Sequence, residues 1–527
     1  MVIGDILKRN ARRFKGRIAY KDERRALTFE EVNKRANALA RALAALGLKK
    51  GDHIAALLYN CVEYSELLLA LPKAGFVIVP LNYRLIGREL EYIITNSEAC
   101  ALICEAELEG IIEKIRPNLQ SVKHYIVVDH AGDSKSEALN YENLIRSSSA
   151  LELPAPVIES DTAFILYTSG TTGVPKGAML THKNVISNLF NIFFELQISP
   201  NDKIFNAPPM YHCAGQNQSM AYFFYGCENV TVKQFNADLA LQTIEREKPN
   251  ILHLVPAMQN MVMNHPDISR HDFGFVDLMI YGGSSFMRSQ LEKAIEIFGC
   301  RFFQCAGQTE ASPVLTILRP EDHVLDGPEH VLRRLSSAGK EVKLTEVKIA
   351  DQQGNEIPPN VPGEEIARGD NVMKGYWRLS KETAETIVDG WLHTGDICFK
   401  DEYGYVYYKD RIKDMICRGG ENIYPREIEE VIASHPEVLE IAVIGVPDER
   451  LQEEIMAVVV PVKGKKPLDQ DIVRLCEKNL ARFKKPRYLV FVDQIPKNAS
   501  GKILKNELRK TYERNPLPGK VIFSRLS

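Results

Sequence analysis

Between Thr28 and Leu81 the apolar residues change period three times. Thr28-Phe-Glu-Glu31 is a capping box, the signature of a helix start. Behind it Val32, Ala36, Leu39, Ala40, Leu43 and Leu46 fall on one helical face, and Gly47 ends the run. A strand-like stretch (53–58), a helix (63–74) and another strand (76–81) follow. Strands joined by helical crossovers are the pattern of parallel sheets with helices packed on them. Apolar runs at 101–104 and 125–128 continue it, and 129–156, polar and rich in small residues, reads as a surface connection. The segment 341–366 reads as β-rich, with turns at Asp351-Gln-Gln-Gly354 and Pro362-Gly363; another turn falls at Glu402-Tyr-Gly404.

Past Asp410 the character changes. A helix with proline in its first turn (425–434), strands at 441–446 and 456–462, a helix at 468–483 and a strand at 488–492 make a separate small α/β domain. The expected fold class is α/β. A large N-terminal domain of α/β layers with a β-rich portion, residues 1–412, is followed by a small C-terminal α/β domain, residues 413–527.

Composition excludes some functions. The 527 residues carry a formal net charge of only −3, which gives no reason to invoke nucleic acid or an anionic membrane. The ten cysteines form no Cys-x-x-Cys pair and no Cys/His cluster, so they read as free thiols in a reducing compartment. The basic start lacks the apolar core of a signal peptide, and the apolar stretch 67–81 is broken by Pro72 and Lys73. With no address at the C-terminus, the expectation is a soluble cytoplasmic protein without a transmembrane segment.

The chemistry concentrates in Tyr167-Thr-Ser-Gly-Thr-Thr-Gly-Val-Pro-Lys-Gly-Ala-Met-Leu-Thr-His182, between an apolar strand and a helical run. Glycines bring backbone N–H groups close to an anion, hydroxyls of Thr168, Ser169, Thr171 and Thr172 donate to phosphate oxygens, and Lys176 adds charge. Val174 and Pro175 separate Gly173 from Lys176, and Gly177 follows, so this polyphosphate cradle is not a Walker loop. Four further segments are weak singly. Gln304-Cys-Ala-Gly-Gln-Thr-Glu310 ends in a carboxylate suited to a hard cation. Gly390-Trp-Leu-His-Thr-Gly-Asp396 ends in one suited to paired ribose hydroxyls. Tyr408-Lys-Asp-Arg-Ile-Lys-Asp414 puts a guanidinium at the domain boundary, and Pro496-Lys-Asn-Ala-Ser-Gly-Lys502 carries a lysine on a polar, glycine-flanked loop.

Together, in this order, these segments resemble the adenylate-forming superfamily of acyl-CoA synthetases, peptide-synthetase adenylation domains and beetle luciferases. The resemblance covers nearly the whole chain. It implies that ATP·Mg2+ activates a carboxylate as an acyl-adenylate, releasing pyrophosphate, and that a second nucleophile then takes the acyl group. It assigns the phosphates to Thr168, Ser169, Gly170, Thr171, Thr172, Gly173 and Lys176, the Mg2+ to Glu310 and the α-phosphate to Thr309. Gly283, Ser284, Gly307, Gln308, Asp396 and Arg411 are assigned to the nucleotide, Asp396 on the ribose. Lys502 is the expected catalytic lysine and Lys413 the hinge of a mobile small domain. Gly419 and Gly420 are assigned to coenzyme A. His212, Cys213, Gly282 and Ala306 are assigned to the acyl pocket, with a packed core histidine as the other reading of His212.

Two departures stand out. Ala306 occupies a position where the family commonly stacks an aromatic on adenine, which leaves adenine to Tyr281, to backbone near Gly283, or to a wider pocket. Leu451-Gln452 stands where Trp-Gly is frequent, which affects the coenzyme A contacts. Residues 206–227 hold no Asp or Glu to pair a substrate ammonium, which disfavours amino acids. Small residues Ala214, Gly215, Gly282, Gly283 and Ala306 leave room for bulk. The expected activity is an AMP-forming carboxylic acid–CoA ligase acting on an apolar acid: medium- or long-chain fatty, aromatic or alicyclic. The alternatives are an acyl-AMP ligase loading a carrier protein, suggested against by the absence of a following carrier domain, and a non-catalytic nucleotide-binding protein on the same fold.

Overall fold

The computed structural model describes residues 1–129, 138–152, 156–168, 174–284, 286, 288–411, 414–419, 421–448, 450–465, 467–497, 503–512 and 520–521. The chain divides into two compact units. Met1–Phe286, Gln290–Val347 and Ala367–His393 form the first; Met287–Ser289, Lys348–Ile366 and Thr394–Ser527 form the second. Among the described residues no helix is long and apolar enough to cross a membrane.

The helix Phe29–Ala45 starts as its capping box requires. Thr28 Oγ1 accepts from the Glu31 N–H at 3.2 Å, and the Glu31 carboxylate accepts from the Thr28 N–H at 2.8 Å. Val32, Ala36, Leu39, Ala40 and Leu43 are buried as their spacing predicts, packed among neighbouring helices, while Leu46, at the C-cap, is only half-buried. Among the described residues of the first unit, eight strands form one sheet. Its order is Gly375–Tyr376, Lys176–Thr181, Thr162–Thr168, Val77–Pro80, His53–Leu57, Ala101–Glu105, His124–Val128 and Leu139–Asn140. The 53–57 strand runs parallel to both its neighbours, as the alternation requires. A second sheet carries Leu278–Gly282 parallel to Arg301–Gly307, which pairs antiparallel with Val314–Leu318.

Two local expectations fail. Residues 129–156 are not merely a surface connection. Leu139–Asn140 extends the first sheet, and Tyr141, which opens the helix Tyr141–Arg146, is buried with its hydroxyl donating to Glu66 at 2.7 Å. Glu66 also accepts from Arg35 at 2.7 and 3.1 Å. One anchoring tyrosine makes no periodic pattern, so the sequence is silent about it. The glycine-rich segment is also not a strand-to-helix turn. Lys176–Thr181 is a strand antiparallel to Thr162–Thr168, with Thr168 opposite Lys176. The segment is a hairpin connection, and the helix His182–Glu195 starts only after the second strand.

In the second unit, Val438–Asp448 and Gln452–Pro461 form a long antiparallel pair, and Tyr488–Phe491 runs parallel to the latter. Helices Pro425–Ala433 and Asp469–Asn479 bury Ile428, Ile432, Ile472 and Cys476 with Val443 and Ala457. The helix Lys505–Tyr512, which the sequence pattern does not mark, buries Leu508 and Tyr512 with Val446 and Met456. The alternating burial of the strands therefore supplies two cores, one for each face. The whole is the expected α/β class, with a large N-terminal and a smaller C-terminal domain.

Candidate active site

The first unit gathers Thr168, Lys176, Glu310 and Tyr376 from sequence positions far apart. Glu310 lies in the 3-10 turn Thr309–Ala311 that ends the Arg301–Gly307 strand, and it is 8% exposed. Its Oε1 accepts from Thr168 Oγ1 at 3.3 Å and from the Tyr376 hydroxyl at 2.9 Å. Its carbonyl accepts from the Met373 N–H at 2.8 Å, which locks the turn to the strand edge carrying Tyr376. Both side-chain donors use Oε1; among the described residues nothing donates to Oε2. Burial and the Glu310 charge push the Tyr376 hydroxyl well above its ordinary range, so it remains a donor. Lys176 Nζ stands 5.2 Å from the Tyr376 ring centre.

No pattern in the sequence marks Tyr376. It sits on a two-residue strand paired with Ala178, and a single aromatic after a glycine gives no local signal of a hydrogen bond to Glu310. Ser169, Gly170, Thr171, Thr172 and Gly173 lie outside the described residues. The described ends of that connection, Thr168 and Lys176, face each other across the ladder.

Thr309 Oγ1 donates to Cys213 Sγ at 3.4 Å, and Cys213 Sγ lies 3.6 Å from His212 Nδ1. His212 caps the helix Cys213–Tyr225, its Nδ1 accepting from the Ala214 N–H at 3.3 Å. Burial raises the Cys213 thiol, but its contacts with His212 and Thr309 outweigh it, leaving the thiol below its ordinary value. Three of the residues assigned to acid and α-phosphate thus form one contiguous cluster.

Two of the small residues serve packing. A Cβ on Gly282 would lie 2.1 Å from the Cys305 carbonyl oxygen, and one on Gly215 would lie 2.4 Å from that of Pro209. Their missing side chains let backbones approach and do not open a cavity. Gly283 differs: among the described residues nothing lies within 4 Å of where its Cβ would be. Ser284 follows it, and Gly307 and Gln308 lead from the strand into the Glu310 turn. Ala306 is opposite Thr316 in the ladder and half-buried. Tyr281 cannot serve adenine as the sequence suggested. It is buried, its hydroxyl lies 2.9 Å from His323 Nε2, and its ring packs edge-on against Phe286, Phe302 and His323.

In the second unit Asp396 and Arg411 are direct partners in an antiparallel ladder, Arg411 Nε lying 3.1 Å from Asp396 Oδ1. Thr394 Oγ1 donates to the Glu365 carbonyl at 2.6 Å and accepts from the Asp396 N–H at 3.1 Å, which sets the bend before Asp396. The Gly419 N–H donates to the Leu451 carbonyl at 2.8 Å, beside the buried Arg418–Glu454 pair at 2.8 Å. Gln452 has φ +69°, which explains why glycine suits that position. Lys413, Gly420 and Lys502 lie outside the described residues.

Glu365, beside Asp396, is also new to the structure. Burial foremost, then the Asp396 charge, raises its carboxyl to about 8, while Tyr408 donates to it at 2.8 Å. Between about pH 4.5 and 8 the folded protein holds a proton that the unfolded chain releases, so stability falls as pH rises through that window. Glu365→Gln removes this penalty. Its advantage in thermal unfolding should be near zero at pH 4.5 and grow to about 4 kcal/mol by pH 8. A difference independent of pH would refute the assignment.

A family model described as AMP-binding enzyme matches residues 7–377, and one described as AMP-binding enzyme C-terminal domain matches residues 427–502. The fatty acid–[acyl-carrier-protein] ligase ScoC of Streptomyces coeruleorubidus is 35% identical over 497 residues, 93% of this chain and 92% of its own. The long-chain-fatty-acid–CoA ligase FadD13 of Mycobacterium tuberculosis is 36% identical over 487 residues, 92% of this chain and 93% of its own. The crystal structure of the anthranilate CoA ligase AuaEII in complex with anthranoyl-AMP superposes with a TM-score of 0.88 at 28% identity, covering 97% of both chains. The chain belongs to the AMP-binding enzyme family, in the acyl-CoA synthetase branch of the adenylate-forming superfamily, and is an ATP-dependent ligase.

Proposed function

We propose that the protein activates an apolar carboxylic acid with ATP and transfers the acyl group to the thiol of coenzyme A. The observation that carries this is the contiguous set Thr168, Lys176, Glu310, Tyr376, Thr309 and Cys213, which joins phosphate-binding donors to a buried carboxylate and to the start of the helix assigned to the acid. In the first step a carboxylate oxygen attacks the α-phosphorus and pyrophosphate leaves. In the second the thiol sulfur attacks the acyl carbon, AMP leaves and the thiol proton goes to solvent. Thr168 and Lys176 hold the pyrophosphate side, and Thr309 donates to the α-phosphate.

The donor set fits Mg2+. No group of three His, Cys, Asp or Glu gathers among the described residues, and Mg2+ is typically held by one or two carboxylates together with substrate phosphates. Glu310, with Oε1 fixed by two donors and Oε2 open, would be that ligand. When bound, the ion neutralises charge developing on the phosphates. What the protein does is fix the carboxylate before the nucleotide arrives.

The relatives named for fatty acyl, long-chain and anthranilate substrates leave the acid class broad and include a carrier-protein acceptor. The test is AMP release across C2 to C18, benzoic and cyclohexyl acids, with and without coenzyme A. Acceleration by coenzyme A of at least about tenfold supports the ligase. No effect of coenzyme A, with acceleration by an acyl carrier protein, would replace it with the carrier-loading alternative.

A further inference from the structure

Between the strand Lys203–Asn206 of the second sheet and the helix Cys213–Tyr225, the chain crosses Ala207-Pro-Pro-Met-Tyr-His212 without entering a ladder or a helix. Pro208 and Pro209 have no N–H to offer. Three backbone groups of this segment are met by one side chain from the first sheet's side of the unit. Asn60, 4% exposed, follows the strand His53–Leu57 and precedes the helix Val62–Ala74. Its Nδ2 donates to the Pro208 carbonyl at 3.1 Å and to the Ala207 carbonyl at 3.4 Å, and its Oδ1 accepts from the Met210 N–H at 2.8 Å. Its own N–H donates to the Lys233 carbonyl at 3.2 Å, which fixes the brace.

The segment in turn seats the helix. The His212 N–H donates to the Pro209 carbonyl at 3.1 Å, and the same carbonyl lies so close to Gly215 that no Cβ fits there. From the segment's other end Asn206 donates to the Gly215 carbonyl at 2.8 Å. His212 and Cys213 therefore stand where residues 207–210 are held, and Cys213 carries that placement to Thr309.

We propose that Asn60 is a positioning residue for the acid: by pinning residues 207–210 it sets where His212 and Cys213 stand against Thr309. This rests on the reading that places the acid beside His212 and Cys213. Both ends of the amide are used, so its orientation as well as its bulk is fixed. Without it, two carbonyls and an N–H are left unpaired in a buried place, and the segment satisfies them only by moving. A shift of about 1 Å at a site costs on the order of 10²-fold in rate.

The far end of the same helix supplies a matched control. Asn10, also 4% exposed, donates to the Phe223 and Phe224 carbonyls at 2.7 and 3.0 Å. Asn10→Ala strips a comparable brace from the helix at the end remote from Cys213.

The experiment measures KM for an acid drawn from the AMP-release screen, KM for ATP and the thermal midpoint, all on the full-length protein. Asn60→Ala should raise KM for the acid at least about tenfold while KM for ATP stays within about twofold of wild type. Asn10→Ala should lower the thermal midpoint comparably and leave both KM values within about twofold of wild type. Asn60→Asp, which keeps an oxygen for the Met210 N–H, should fall between wild type and Asn60→Ala. An acid KM within about threefold of wild type in Asn60→Ala, or an equal rise in Asn10→Ala, overturns the proposal and leaves the ligase reading intact. A wild-type protein that activates no acid in the screen overturns both. If Asn60→Ala does not fold, Asn60→Asp is judged by the same threefold limit. If neither folds, Asn60 is a structural residue and the proposal fails.

Discussion

Lys502→Ala is expected to lower acid-dependent pyrophosphate release by about 10²- to 10³-fold while changing thioester formation from a supplied acyl-adenylate by less than about fivefold. The split follows from where charge develops. In adenylation, negative charge accumulates on the α-phosphate and on the entering carboxylate, and a lysine placed there stabilises that transition state more than the ground state. In thioester formation the phosphate is a leaving group and already carries its charge. Residues 498–502 lie outside the described residues, but the base of this loop does not. Lys497 and Ile503 pair as an antiparallel bridge, and the Leu504 N–H donates to the Pro496 carbonyl at 2.9 Å. Lys497, whose ammonium pairs with Glu440, is the control: Lys497→Ala should leave both steps near wild type. Equal loss of the two steps in Lys502→Ala would remove the lysine from its proposed role.

Glu310→Gln is expected to lower adenylation by a similar factor, about 10²- to 10³-fold, with little change in thermal stability. The amide keeps an oxygen for Thr168 and Tyr376 to donate to, so the hydrogen bonds at 3.3 and 2.9 Å can persist while the charge is lost. Glu310→Ala would confuse the two, since it strands both donors in a nearly buried place. The measurement is pyrophosphate exchange titrated with Mg2+, beside calorimetric binding of ATP with and without the ion. The Mg2+ needed for half-maximal exchange should rise, and the advantage Mg2+ confers on ATP binding should shrink. A variant within about threefold of wild type and with an unchanged Mg2+ titration would show that Glu310 acts only as a structural acceptor.

What could be read without the fold depended on the range of the signal. The capping box at Thr28 and Glu31, the apolar face of the following helix and the strand at 53–57 are set within a few residues, and they stand where the sequence puts them. The segments that identify the family are equally local, because each is a loop whose residue types must match a chemical group. Tyr376 is different. Its role rests on an edge strand that brings it to a carboxylate 66 positions away. Tyr281 shows the converse: beside a glycine pair it looked available for adenine, but strand alternation turns it into a core of Phe286, Phe302 and His323. Gly215 and Gly282 looked like open space and proved to be places where one backbone meets another.

The sequence by itself determined the α/β class and the family, because period, caps and short loops encode those locally. The tertiary structure decided which oxygen of Glu310 is held and by what, and that the strands on either side of the glycine-rich segment pair antiparallel. Those are consequences of contacts between residues distant in sequence. Packing fixes such contacts only once the sheets have closed, and no window along the chain contains them.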